Sequence, residues 1–134
     1  MRIFVVAALV AALLTSCAAT GRLTCSNGQQ VMISEALYFG TDKPDGMVTA
    51  EDWQSFLNDS VTPRFPKGLS VWRASGQWKS NAGPVVRESS YVLNIVHPDS
   101  AATEAALTEV VNTYKTTFRQ EAVLRVRSAA CVSF

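Results

Sequence analysis

Two hydrophobic periods alternate along this chain, and their order constrains the fold more than any single motif does. Val31 to Gly40 is β-branched and aromatic, with Ile33, Leu37 and Phe39 on one side at a period of two. Thr49 with Asp52 three residues on reads as a helix start, and Val48 and Trp53 stand where a hydrophobic staple would clamp it. Trp53, Phe56, Leu57 and Val61 follow at helical spacing until Pro63 ends the run. Gly68 then opens a strand over Leu69 to Trp78, and Asn81-Ala82-Gly83-Pro84 turns the chain. A third strand spans Val85 to Val96 with Tyr91, Leu93 and Ile95 on one face, and its length suits a central strand or one carrying a bulge.

His97-Pro98-Asp99-Ser100 breaks that strand and caps a second helix, in which Leu107, Val110, Val111, Tyr114 and Phe118 form one buried stripe. Glu121 to Val126 is a last short strand, with Leu124 and Val126 facing away from Arg125 and Arg127. Strand, helix, strand, strand, helix, strand is the order of the split βαβ unit. The expectation is therefore an α+β, ferredoxin-like βαββαβ domain over 31–134. Right-handed crossovers place both helices on one face of a four-stranded antiparallel sheet.

Ahead of the domain stands a different kind of segment. Met1-Arg2 and the twelve apolar residues Ile3 to Leu14 have the length of a signal-peptide core, well short of the ~20 residues a membrane span needs. Leu14-Thr15-Ser16-Cys17 resembles the bacterial lipobox, in which small residues fit the peptidase and the thiol takes up diacylglycerol. On that reading 1–16 is removed, Cys17 is lipidated, carrying acyl chains such as palmitate, and 17–30 tethers the domain to a membrane. Ala18, where Asp would retain the protein at the inner membrane, favours the outer membrane facing the periplasm. The competing reading is simple cleavage after small residues and release as a soluble protein.

Export bears on charge and on the cysteines. Without Arg2 the 12 basic residues become 11, equal to the 11 acidic ones, so no basic surface is available to recruit nucleic acid. The third strand also lacks the basic and aromatic pattern of an RNA-recognition domain. With Cys17 given to lipid, Cys25 and Cys131 remain, in a compartment that permits disulfides. In the expected sheet the first and last strands are antiparallel neighbours, which brings the entry of one beside the exit of the other. The two thiols are therefore expected to pair; a metal pair is the weaker reading, since no His or further Cys stands nearby.

Several stretches are similar in wording to a bacterial family. Glu35-Ala36-Leu37-Tyr38-Phe39-Gly40, Trp53-Gln54-Ser55-Phe56-Leu57, Val61 to Leu69, Gly76-Gln77-Trp78, Val96-His97-Pro98 and Ser128 to Phe134 resemble domain of unknown function 3574. The resemblance covers nearly all of 35–134. It implies an exported protein of similar size, often a lipoprotein, and implies no activity.

The residues that carry chemistry each have a plain structural alternative. Pro63 and Pro66 stiffen the loop around Arg64, which suits it to a carboxylate or phosphate, or to a local acid while Phe65 plugs the core. Arg87, Glu88, Arg125 and Arg127 lie on strands; Glu88 and Arg125, on a shared face, would form a buried pair or line a pocket, and otherwise are solvated. His97, the single histidine, sits at a strand-to-helix turn where a capping or surface role competes with catalysis. Trp78 would stack a planar ligand, or serve as a core or dimer residue, with Gly76 marking a bulge.

No paired carboxylates, phosphate-binding loop or metal cluster appears, so no cofactor and no metal are expected. The leading expectation is a non-enzymatic envelope lipoprotein that binds a protein partner or small ligand, with the membrane reached through its lipid and a homodimer formed through the open sheet face. The alternative is a small periplasmic enzyme or ligand-binding protein with a pocket around Arg64, Glu88 and Arg125.

Overall fold

Four long strands and two helices follow one another as the two hydrophobic periods require. The computed structural model describes residues 21–79 and 83–134; the proposed leader, the lipid site Cys17 and part of the Asn81 to Pro84 turn lie outside them. The strands are β1 (Gln30–Gly40), β4 (Ser70–Lys79), β5 (Val85–His97) and β6 (Leu124–Val132), and a small hairpin of β2 (Asp42–Lys43) and β3 (Gly46–Met47) follows β1. The helices are α1 (Ala50–Phe56) and α2 (Ala101–Phe118). The sheet runs β4-β5-β1-β6, and every neighbouring pair is antiparallel.

Local chemistry sets the helix ends. Thr49 Oγ1 accepts the Asp52 N–H at 3.0 Å while the Asp52 carboxylate accepts the Thr49 N–H at 3.0 Å, a reciprocal cap that satisfies two otherwise orphaned donors. α1 then widens into one π-helical turn, Leu57–Val61, before the proline-rich loop. Ser100 caps α2 through the Thr103 N–H, and Arg119 closes it in the left-handed region at φ 54°.

Alternation along the strands decides what is buried. Leu37, Phe39, Tyr91, Leu93 and Ile95 face the helices and pack against Trp53, Phe56, Leu107, Val110, Tyr114 and Phe118. Phe39 is the hub: its ring lies 4.7 Å from Tyr114 and 5.3 Å from Trp53, both tilted toward edge contact, the arrangement that ring quadrupoles favour. Both helices thus cover one face of the sheet. Phe65 reaches the same core.

Three expectations need correction. The last strand begins three residues later and runs six residues further than 121–126, because β6 pairs with β1 from Tyr38↔Leu124 to Gln30↔Val132. Gly76 marks no bulge, since β4 pairs with β5 without interruption through Gly76↔Glu88. The helix expected to run evenly to Pro63 changes its winding at Leu57.

Cys25 and Cys131 are bonded, with Cα atoms 5.5 Å apart and a sequence separation of 106. Val31↔Cys131 pairing places Cys131 at the start of β1, where the chain carrying Cys25 enters the sheet. Closing so long a loop stabilises by about 4–5 kcal/mol in the chain-entropy picture. No described helix is long and apolar enough to cross a membrane.

Candidate functional site

The residues singled out in the sequence separate into three places. Arg64 belongs to a clamp: its Nε and Nη2 donate to the two Glu109 carboxylate oxygens on α2 at 3.2 and 2.5 Å, and its Nη1 donates to the Ser60 carbonyl at 2.7 Å. With three of its donors on one acid and one carbonyl, this guanidinium ties the loop after α1 to α2. Glu109 is held below the usual carboxylate range by hydrogen bonding from Arg64. The arginine is a strut, which is the plain reading of the proline-flanked loop.

Arg125 and His97 meet at a residue that sequence reasoning passed over. Glu35 stands on β1 between Ile33 and Leu37, on the buried face, and is 0% exposed. Arg125 Nε donates to its Oε1 at 2.5 Å and reaches Glu104 at the start of α2 through Nη1 and Nη2 at 2.8 and 3.0 Å. His97 Nε2 lies 3.3 Å from Glu35 Oε2, and His97 Nδ1 lies 2.9 Å from the Pro98 carbonyl oxygen. A carbonyl only accepts, so the Nδ1 contact is a hydrogen bond in the tautomer that carries its hydrogen there. His97 is 6% exposed, neither a surface nor a capping residue, and both its nitrogens are occupied. Hydrogen bonding from Arg125 lowers the Glu104 carboxyl and raises the Arg125 guanidinium in turn. The signal was present in the sequence as an acidic residue at an apolar position of a strand.

Glu88 is elsewhere. It pairs in register with Gly76 and shares the side of the sheet turned away from the helices with Ser90 and Val92, whereas Arg125 stands opposite Leu37 on the helix side. Glu88 and Arg125 therefore form neither a pair nor a common pocket, because a strand sends successive side chains to opposite faces.

What surrounds Glu88 is distinctive. Its Oε1 accepts the Asp42 N–H at 3.1 Å. A Cβ on Gly40 would fall 2.3 Å from that oxygen, so the carboxylate lies against backbone left bare by glycine. A Cβ on Gly76 would meet nothing, leaving the other side open. Ser75, Gly76, Gln77, Arg87, Glu88 and Ser89 line a shallow groove at this end of the β4–β5 pair, with Ser75, Gln77, Arg87 and Ser89 alternating onto the helix side, and Trp78, 58% exposed, stands two residues beyond Gly76 on the side of Glu88. Behind Gly40, the Tyr114 hydroxyl donates to the Gly40 carbonyl at 2.8 Å. Burial, reinforced by the Glu88 charge, raises the Tyr114 phenol and keeps it a donor.

Among the described residues, Glu88 is the one acidic side chain withdrawn from full exposure that no basic group pairs. A second depression, on the outer side of α2, is lined by Ala101, Ala105, Thr108 and Asn112 with Glu104 and Glu109, whose carboxylates Arg125 and Arg64 already hold. No three described His, Cys, Asp or Glu residues converge as a metal-binding group.

The chain belongs to the family described as protein of unknown function DUF3574, whose pattern matches residues 34–134. No curated protein matches it. Among solved structures it is similar to a phage SAM lyase in complex with S-methyl-5'-thioadenosine, at TM-score 0.56 and 16% identity, over 84% of this chain and 95% of the lyase. The phage SAM lyase in its apo state is similar at TM-score 0.50 and 17% identity, over 84% and 96%. The likeness is one of fold. It overturns the expectation of a non-enzymatic module, because this arrangement, over nearly its whole length, is one on which an enzyme is built.

Proposed function

We propose that the protein is a small enzyme or ligand-binding protein of the bacterial envelope, with its site in the groove at Glu88. The carrying observation is the Glu88 carboxylate itself: partly withdrawn from water, held by one backbone N–H and unpaired by any described cation. Withdrawing a charge without a partner is unfavourable, and such arrangements concentrate at sites where a ligand supplies the missing interaction. The carboxylate attracts a cationic or hydrogen-bond-donating group, and Trp78, which alternates onto the same side of the sheet, offers a ring face to a planar one. That combination suits a small, ring-bearing ligand with a positive or donor group, and the similar phage lyase holds S-methyl-5'-thioadenosine.

The wider reading keeps the ferredoxin-like topology, which the strand order β4-β5-β1-β6 with the first long strand inside the sheet supports. It also keeps lipidation at Cys17 after removal of 1–16, supported by the Leu14-Thr15-Ser16-Cys17 wording. Of the pocket first expected around Arg64, Glu88 and Arg125, only Glu88 stays in the site. The other two are spent in ion pairs.

The test uses the full chain with SAM and S-methyl-5'-thioadenosine as probes, followed by calorimetry and by chromatography of any product. Binding should fall at least tenfold in Glu88→Gln with an unchanged melting temperature. Gly40→Ala, which pushes the carboxylate off its seat, should have a similar effect. Equal binding in all three proteins, or none at millimolar probe, would overturn the reading.

A further inference from the structure

The side of the sheet away from the helices is covered by nothing in this chain's described residues, and its centre is apolar between flanking Ser34, Ser90, Asn94 and Ser128. Trp72, Val92, Tyr38 and Leu124 stand directly across from one another, one per strand, so a single hydrophobic row crosses all four strands. Val92 is 0% exposed between its two aromatic neighbours, while Trp72 and Leu124 at the ends of the row are 47% and 61% exposed. Val96 and Val126 extend the patch along the strands, and Trp78 with Val86 continues it toward the tip of the β4–β5 pair.

Large aromatic side chains present roughly 150–250 Å² each, so the exposed parts of these residues add to on the order of 700 Å². A soluble monomer's largest apolar patch is about 300–600 Å², whereas a stable interface covers about 800 Å² on each partner. The patch is therefore the size of half an interface. Its charge narrows the choice of occupant. Of the described side chains that alternate onto this side of β1, β4, β5 and β6, only Glu88, near one end, is charged. A copy of the same surface can be laid on it without opposing like charges across the central row. An anionic bilayer surface would call for a basic rim, and a differently charged protein would call for complementary charge, neither of which this side carries.

We propose that the open side of the sheet is the interface with a second copy of this chain, packed sheet on sheet about a two-fold axis through the Trp72–Leu124 row. Two facing sheets settle about 10 Å apart with their strands rotated by the sheet twist, so each row of large side chains seats in the gaps of the other. Continuous apolar surface at the centre, with the polar groove of Glu88 toward the rim, is the usual anatomy of such a contact. The inference does not depend on what the groove binds.

The experiment is photo-crosslinking in intact cells that express two differently tagged copies of the full chain. Trp72 is replaced by p-benzoylphenylalanine in one of the copies, and Thr116 on the outer side of α2 serves as the control position. The expected result is an adduct at twice the protomer mass carrying both tags from position 72 and none from position 116. Leu124→Lys, and separately Val126→Lys, should each reduce that adduct at least tenfold. Both side chains are exposed in the protomer, and an oxidised Cys25–Cys131 bridge on a non-reducing gel reports that the variants fold. Absence of the doubly tagged adduct, an adduct with some other protein in its place, or an adduct that survives both lysines would overturn the proposal.

Discussion

The two sides of the sheet are made by the same strands and serve opposite ends. On the helix side, Leu37, Phe39, Leu93 and Ile95 are at most 2% exposed, and the buried carboxylate, Glu35, is surrounded by partners. On the other side, one residue along in each strand, Tyr38, Trp72 and Leu124 are large and partly in water, and the charged exception, Glu88, has no cation among the described residues. A buried charge that is satisfied internally makes each of its partners costly to remove; one left incomplete is available to a ligand. The contrast places the packed core on one side and the two proposed binding surfaces on the other.

The sharpest way to break that comparison is to remove one large side chain from each face. Phe39→Ala should cost about 3–5 kcal/mol by emptying the centre of the aromatic cluster, whereas Leu124→Ala should change protomer stability by no more than about 0.5 kcal/mol. Urea unfolding at concentrations where the chain is monomeric checks both, and similar losses at the two positions would sink the division of labour.

Somewhat smaller is the effect expected for Arg125→Met. Glu35 would keep its buried charge and lose its guanidinium, which costs about 3 kcal/mol, the low end for a broken buried pair because Arg125 is partly solvated. Replacing Glu35 as well should recover part of that loss. A single substitution costing less than about 1 kcal/mol would show that Glu35 finds its compensation elsewhere.

The smallest effect is on acid stability. Glu104 and Glu109 are both lowered from 4.5, by Arg125 and Arg64 respectively. A carboxyl lowered in the folded state contributes stability that is fully present above its unfolded value and is lost as pH falls through the folded one. The melting temperature should be level from neutral pH down to the ordinary carboxylate range and decline below it. Arg64→Met should flatten the part of that decline due to Glu109. These groups are exposed, so solvent screening keeps the contribution small. A decline of the same steepness in the variant would show that the acid sensitivity arises elsewhere.

Much of the fold could be read from the chain because it is written in local terms. The Thr49–Asp52 cap, the Ser100 start of α2, the stripe from Leu107 to Phe118 and the parities of Leu37, Phe39, Tyr91 and Leu93 depend on neighbours within a few residues. The cysteine pairing followed from the strand order alone. Of the candidate site, Trp78 and Glu88 were recognisable as residue types but not as neighbours on one side of the sheet, and the structure holds Arg64 and Arg125 in ion pairs away from Glu88. The Glu35–His97–Arg125 cluster joins residues up to 90 apart in sequence, and no local period announces such a meeting.

By itself, then, the sequence determined the periods, the caps, the order of the elements and the alternation of each strand, because these are short-range consequences of backbone geometry and side-chain shape. Only the tertiary structure decided which alternate of β4 and β6 the helices would cover, and which side chains would meet across the strands. That choice rests on how the strands come into register, and it made Glu35 a buried partner, Glu88 an unpaired one, and the Trp72–Leu124 row an uncovered surface.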